Sequence, residues 1–259
     1  MKPTGYEVWR GRSPIDGADI VAIATLESSN RKTGNMVQLW ILRTDRTPLQ
    51  AIATGADAAI CGGCVHRRTW IDAERRHVRT CYVEVGRAPE GIYRAWMAGR
   101  YPRADRHRRY AIGYGRAVRL GAYGDPAMVP MRILRDLVRD ATGHTGYTHQ
   151  WREPWAAEHR ELCMASADTA ADYDAARAAG WRTFRVRPAG APKLAGEVIC
   201  PASEEGGYRT TCIDCRLCRG ADPARPNMAP GVVIVAHGPA ARQYAKVTTL
   251  TVGGTPCTA

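Results

Sequence analysis

The sequence predicts an α/β fold: a parallel β/α barrel-like core, complete or partial, carrying cysteine-rich metal-binding insertions. Three observations lead there. Short apolar, β-branched runs alternate with helical stretches from about residue 117 onward, the pattern of βαβ units and a parallel sheet. Seven of the nine cysteines fall in two sets, C-x2-C-x16-C over Cys61, Cys64 and Cys81, and C-x11-C-x2-C-x2-C over Cys200, Cys212, Cys215 and Cys218. Polar residues recur just after predicted strands, and parallel strands deliver those positions to one end of a sheet, where chemistry occurs in barrel and open α/β folds.

Taken in order, residues 6–10 and 20–25 read as strands, separated by a turn-rich connection. Residues 28–35, S-S-N-R-K-T-G-N, form a polar loop that could cradle a phosphate or carboxylate and makes Asn35 a cofactor-binding candidate; a solvated turn is the plainer alternative. Residues 36–43 are a half-buried strand and 48–54 a short helix ending near Gly55. The insertion at 61–81 is irregular, with a basic centre at 66–79. Residues 90–99 read as a helix with Ile92, Tyr93, Trp96 and Met97 on one face, and 102–109 as a basic connection. The regular series follows: strand 117–122, helix 130–141, strands 146–149 and 162–165, helix 169–179 with Asp168 as N-cap and Gly180 as stop. Strands at 183–186, 197–199 and 232–236 complete it, with the second insertion at 200–220. Residues 221–230 read as a Pro-rich surface loop and the tail from Gly253 as loose.

A chain of 259 residues fits a single domain spanning 1–259. Its formal charge of +12, mostly from arginine, favours nucleic acid, a nucleotide or another anion as partner, although coding bias toward arginine produces the same excess. Seven Trp and eleven Tyr against one Phe give the aromatic surface polar tips. There is no apolar h-region at the start and no run near the roughly 18–20 apolar residues of a spanning helix, so no membrane partner is expected. In a reducing cytoplasm, paired cysteines serve as ligands rather than disulfides.

The cysteine spacings set the metal expectations. Cys200, Cys212, Cys215 and Cys218 contain a C-x2-C-x2-C run that leans toward iron–sulfur, because zinc more often uses two separated C-x2-C pairs. Cys61, Cys64 and Cys81 leave one coordination position, to be filled by His66 in a closed zinc site or left open in a [4Fe–4S] cluster. Cys163 reads as a buried small hydrophobe and Cys257 as a bystander. Asp125, His149, Ser166 and His237 follow or end predicted strands and are the catalytic candidates. For Asp125 the competing role is capping the next helix. Arg185 and Arg187 share a face of one strand and would bind an anion if that face lines a barrel. No Ser-His-Asp order, zinc-protease helix or G-x-G-x-x-G loop is present. Since parallel strands share a direction, Cys200, Asp125 and His149 should face one cavity, and both cysteine sets should reach one rim.

Several stretches together carry a resemblance. They are N-R-K-T-G-N at 30–35, C-G-G-C-V-H-R at 61–67 with C-Y-V at 81–83, R-L-G-A-Y-G-D-P-A at 119–127, G-Y-T-H-Q-W at 146–151, C-M-A-S-A-D at 163–168, C-P-A-S-E-E-G-G at 200–207 and V-V-I-V-A-H-G at 232–238. The set resembles an uncharacterised protein family of tailed bacteriophages and prophages, over nearly the whole chain. It implies a bacterial cytoplasm and no particular activity. A more distant, fold-level likeness is to radical S-adenosylmethionine enzymes, in the βα series, Cys81-Tyr82 and a second cysteine set like an auxiliary cluster. The departure is that C-x3-C-x2-C is missing. The expected function is an iron–sulfur enzyme, in its most specific form a divergent radical S-adenosylmethionine enzyme acting on a nucleic acid or nucleotide. Its cofactors would be [4Fe–4S] clusters with S-adenosylmethionine. The alternative is a non-catalytic protein stabilised by Zn2+ that binds nucleic acid through residues 66–79 and 103–109.

Overall fold

The computed structural model describes residues 2–67, 69–70, 77–221, 229–238, 241 and 243–244. Much of the basic centre of 66–79, most of the 221–230 loop, the tail from Gly253 and Cys257 lie outside them. Three strands come first, β1 (Gly5–Arg12), β2 (Asp19–Thr25) and β3 (Val37–Arg43), followed by α1 (Pro48–Thr54) and α2 (Ala58–Cys61). A small hairpin of β4 (Thr69–Trp70) and β5 (His77–Val78) precedes α3 (Ala88–Met97) and α4 (Arg106–Gly113). The βα series is β6 (Ala117–Tyr123), α5 (Met131–Val138), β7 (Gly143–Thr148), β8 (Met164–Ala167), α6 (Ala170–Ala178) and β9 (Thr183–Arg187). It ends with β10 (Glu197–Ile199), α7 (Cys212–Cys215) and β11 (Gly231–Val235).

Nine strands form one mixed sheet in the order β1-β2-β3-β6-β7-β8-β9-β11-β10. The first three pair antiparallel; from β3 onward every pairing is parallel. The sheet is therefore mostly parallel, as expected, and it is open, with β1 and β10 at its edges. The antiparallel start was not visible in the sequence. A short turn at 13–18 permits an antiparallel return that a parallel crossover is too long to make.

The main core lies on the β1–β3 and β6 side, where Ile20, Ile23, Leu39, Ile41, Leu42 and Leu120 are fully buried with Leu134 and Leu137 of α5. Of residues 102–109, expected as a connection, 106–109 belong to α4. Asp105 caps that helix by accepting from the Arg108 N–H at 2.7 Å, satisfying an orphan donor. Gly113 ends α4 against α5, where a Cβ would stand 1.9 Å from the Leu137 carbonyl oxygen, so only glycine permits this approach. Arg109 binds Asp136 of α5 at 2.8 Å, which neutralises part of the basic patch, and α4 leads into the N-terminal end of β6. Among the described residues no helix is long and apolar enough to cross a membrane.

The N-cap of α6 is Thr169, not Asp168. Thr169 and Asp172 form a reciprocal capping box, which leaves the Asp168 carboxylate free for other partners.

The start of β7 generates a stability prediction. Burial holds the His144 imidazole down to about 4, and its Nε2 has no partner; an unfolded chain titrates near about 6.5. The folded state favours the neutral ring, so this contribution is complete above about pH 6.5 and is lost as pH falls toward the folded value. Between about pH 7 and 4.5 the urea midpoint of the wild type should drop more steeply than that of His144→Gln. Parallel slopes would show that the ring does not couple to folding.

Candidate functional site

One cavity of about 340 Å³ lies against the parallel part of the sheet. Alternation along the strands selects most of its lining: Arg119, Gly121 and Tyr123 from β6, Thr145 and Tyr147 from β7, Ser166 from β8, Phe184 and Val186 from β9, and Ile234 from β11, with Ala122 of β6 reaching it as well after Gly121, whose φ is 83°. Asp125, His149, Asp168 and His237 follow those strands and also line it. On the opposite face, Ala165 packs with Ala176 of α6, Trp151 and Trp181.

At the C-terminal ends of β6 and β7, a knot of hydrogen bonds fixes the first cysteine set. Cys61 closes α2, and Gly62 follows at φ 54, where a Cβ would lie 2.3 Å from Gln150 Oε1. The C-G-G-C spacing therefore needs glycine here. Gln150 is buried; it accepts from the Gly63 N–H at 3.2 Å and donates to the Cys61 carbonyl at 3.0 Å and to Asp125 Oδ2 at 3.2 Å. Asp125 also accepts from the Ala127 and His149 N–H groups at 2.9 and 2.8 Å. Its carboxylate thus caps the 3-10 turn that follows, holds the end of β7 in place and is fully engaged. The capping role describes Asp125 better than acid–base work does.

Behind this knot, Asp168 gathers two histidines. His66 Nε2 donates to Asp168 Oδ1 at 2.8 Å, its Nδ1 meets Thr80 Oγ1 at 2.8 Å, and its ring stacks on Tyr244. The Tyr244 hydroxyl shares its proton between the Val186 carbonyl at 2.8 Å and Asp168 Oδ1 at 3.1 Å. His149 Nε2 lies 3.5 Å from Asp168 Oδ2 and 3.7 Å from Cys64 Sγ. Both contacts use one ring nitrogen. A Cys–His–Asp relay needs thiol and carboxylate on opposite nitrogens, so this is not a thiol hydrolase's triad. The ligand atoms of His66, His149 and Asp168 lie within 4.8 Å of one another, close enough to hold one metal ion, with Thr80 orienting His66 from behind.

This arrangement separates the thiols electrostatically. Burial opposes ionisation of Cys64, but His149 and His66 outweigh it and hold the thiol below its ordinary value. Burial likewise opposes charging of His149, yet Cys64 and Asp168 raise its pKa well above normal. Asp168 is driven well below the carboxylate range despite its burial, by hydrogen bonds from His149 and His66. Cys61 and Cys81 are pushed up, chiefly by burial.

The second set is anchored differently. Cys200 ends β10, its N–H bonded to the Val233 carbonyl at 2.9 Å, and lines the same cavity as Asp125 and His149, as strand direction required. Cys212 opens α7, where its N–H donates to the Lys32 carbonyl at 3.0 Å and that of Ile213 to Thr33 at 3.1 Å. These partners precede β3, and Arg216 beside α7 reaches Thr142 just before β7. Cys212–Cys215 therefore sits at the N-terminal ends of β3 and β7, away from the rim that carries the first set. The expectation of one shared rim is corrected in part: Cys200 follows the C-terminal end of its strand, whereas Cys212–Cys215 lies at the N-terminal ends of β3 and β7. Burial raises the Cys200 and Cys212 thiols and pushes Cys218 up to about 12.

The remaining candidates divide. Ser166 and His237 line the cavity, the latter beside the Tyr82 ring. From residues 28–35, Asn30, Lys32 and Thr33 line it, whereas Asn35 is exposed and accepts from the Ser28 N–H. Arg185 and Arg187 face the other way. They are paired with Glu197, at 2.7 Å, and with Glu205. Their shared parity was legible, but which parity faces the cavity was not; it is Phe184 and Val186 that point inward. Expected as a fourth ligand for Cys61, Cys64 and Cys81, His66 has both ring nitrogens occupied by Thr80 and Asp168. Cys163 is fully buried. Gln150, Asp168 as a hub, Tyr244 and Arg119 were missed, because a long-range hydrogen bond leaves no local periodicity.

Comparison with models of known protein families, with curated proteins and with solved structures finds no match.

Gln150→Leu should release the Cys61–Cys64 loop. It orphans the Gly63 N–H and the Cys61 carbonyl, each costing about 1–3 kcal/mol if left buried. The expected result is a lower unfolding midpoint; an unchanged midpoint would show the knot to be dispensable.

Proposed function

We propose that this chain is a metal-dependent enzyme whose two cysteine sets hold iron–sulfur clusters against one substrate cavity. The carrying observation is that six of the seven cysteines line that cavity while their thiols stand apart. Zinc held at about 2.3 Å brings tetrahedral sulfur ligands to within about 4 Å of one another. Among the described residues, only His66, His149 and Asp168 have ligand atoms all within 4.8 Å of one another, and neither cysteine set does. A four-iron cluster seats each thiolate on a different iron and so suits a wider spread. The alternation of cavity-lining residues over five neighbouring strands supports reading the parallel part of the sheet as a partial barrel.

Bound clusters would supply one-electron chemistry, and radical chemistry where S-adenosylmethionine is the co-substrate. The chain's own residues do the rest. Gln150 and Asp125 hold the first thiols in place, Asp168 orients two histidines, and Tyr123, Tyr147, Phe184 and Tyr244 wall the substrate space. A cavity of about 340 Å³ suits a small molecule of nucleotide size rather than a duplex. The resemblance to bacteriophage proteins and the +12 charge favour a nucleotide among such molecules.

A second reading rests on the close approach of His66, His149 and Asp168, which would hold a single divalent ion by two imidazoles and a carboxylate.

Metal and acid-labile sulfide analysis of anaerobically purified protein separates the two. Iron and sulfide near about four of each per cluster are expected, with a broad visible absorbance. Cys64→Ser and Cys218→Ser should each lose one cluster's worth. A colourless protein with one equivalent of metal and no sulfide, depleted by His66→Ala, would overturn the first reading in favour of the second.

A further inference from the structure

The cavity contains a buried cation to which the chemistry above assigns no task. Arg119 on β6 is only 9% exposed and faces the cavity. Its Nη2 donates to the Tyr82 hydroxyl at 2.7 Å, and no ion pair to a described carboxylate accompanies that bond. The contrast with the other buried arginines is informative. Arg185 and Arg187, on the opposite face, each meet a glutamate, and the buried Arg182 has its Nη1 and Nη2 filled by the Leu217, Arg219 and Pro230 carbonyls. A guanidinium stays charged under all ordinary conditions, and burying one without a counter-anion is costly. Arg119 is held in place where its charge faces open space rather than a carboxylate.

The neighbours have the same polarity. Lys32 lines the cavity as a second cation, and Thr145, the register partner of Arg119 on β7, adds a buried hydroxyl. With Tyr82 this makes a set of donors, including a planar fork suited to two oxygens of one group. Cys212 lies close enough to Arg119 for their charges to interact, so the competing role for Arg119 is to balance thiolates of the second set.

We propose that Arg119, with Lys32, Thr145 and Tyr82, binds an oxyanion group of the substrate, a carboxylate or a phosphate. This deepens the reading of the cavity as a substrate site and rests on it. The site missed in the sequence, where Arg185 and Arg187 were the anion candidates, is supplied by an arginine of inward parity.

The test is thermal unfolding of the anaerobically purified protein titrated with inorganic phosphate and pyrophosphate in one arm and succinate and citrate in the other, against potassium chloride at matched ionic strength. The wild type should show a saturable rise in midpoint with at least one arm, and the stronger arm identifies the group. Arg119→Met should weaken that response at least tenfold while retaining the wild-type iron and sulfide content. Arg119→Lys, which keeps the charge and loses the fork, guards against misfolding of the first variant and should respond with intermediate strength. Equal responses in wild type and Arg119→Met, or none in wild type, would overturn the assignment. Loss of iron in Arg119→Met and Arg119→Lys, with the anion response unchanged per folded molecule, would overturn it in favour of charge balance. A wild type without iron that still shows the Arg119-dependent response would defeat the cluster reading while leaving the oxyanion site standing.

Discussion

Alternation in parallel strands is the constraint on which this molecule depends. Each strand sends successive side chains to opposite faces, and every strand of the series sends its following loop to the same end. One face of β6, β7, β8, β9 and β11 thereby becomes a cavity wall, and one set of strand ends carries Asp125, His149, Asp168 and His237 to its rim. The same rule places arginines of unlike parity in unlike roles. Arg185 and Arg187 stiffen the outer face through buried ion pairs, and Arg119 turns inward. A shift of one residue in register would exchange these roles wholesale.

The rim depends on a second device, the sharing of carboxylates. Asp125 joins the turn after β6, the end of β7 and Gln150; Asp168 joins His66, His149 and Tyr244. Each links segments far apart in sequence, and each is buried. Buried carboxylates are tolerable because their oxygens are filled with donors. The Cys61–Cys64 turn gains its position from this arrangement and contributes little of its own, since Gly62 and Gly63 add only backbone. Rigid support of this kind is what a metal centre needs around its direct ligands.

How much of this could be read from residues alone follows from the range of each interaction. Strand and helix positions from β6 onward were legible because apolar periodicity is local. The parallel direction was legible because helices intervene between strands. The gathering of Cys200, Asp125 and His149 onto one cavity followed from direction alone. What failed was of longer range or finer grain. Neither the antiparallel β1–β3 unit nor the opposite placement of α7 leaves a local mark, since both are fixed by pairing partners. Inward against outward parity on β9 is a tertiary fact, and it decided the fate of Arg185 and Arg187. Asp168 was the expected cap of α6; Thr169 takes that place because Asp172 completes its box, and this in turn releases Asp168 for the histidines.

The two cysteine sets each contain a C-x2-C step but differ in their surroundings, and the difference shapes what each can do. Cys200 and Cys218 pack into an apolar cluster with Met164, Val232 and Ile234, backed by Phe184 and Val186. That setting is dry, and burial favours the neutral thiol. Binding a cation there must expel protons and replace them with metal bonds in a low dielectric, where such bonds are strong and exchange with water is slow. Cys64 instead sits among charges, its thiolate supported by His149 and His66. A centre at that end is coupled to a titratable, hydrogen-bonded network and to the rim, whereas Cys200 and Cys218 meet an apolar wall, with Arg119 and Lys32 close enough to Cys212 for their charges to interact. Their surroundings assign the two sets different work.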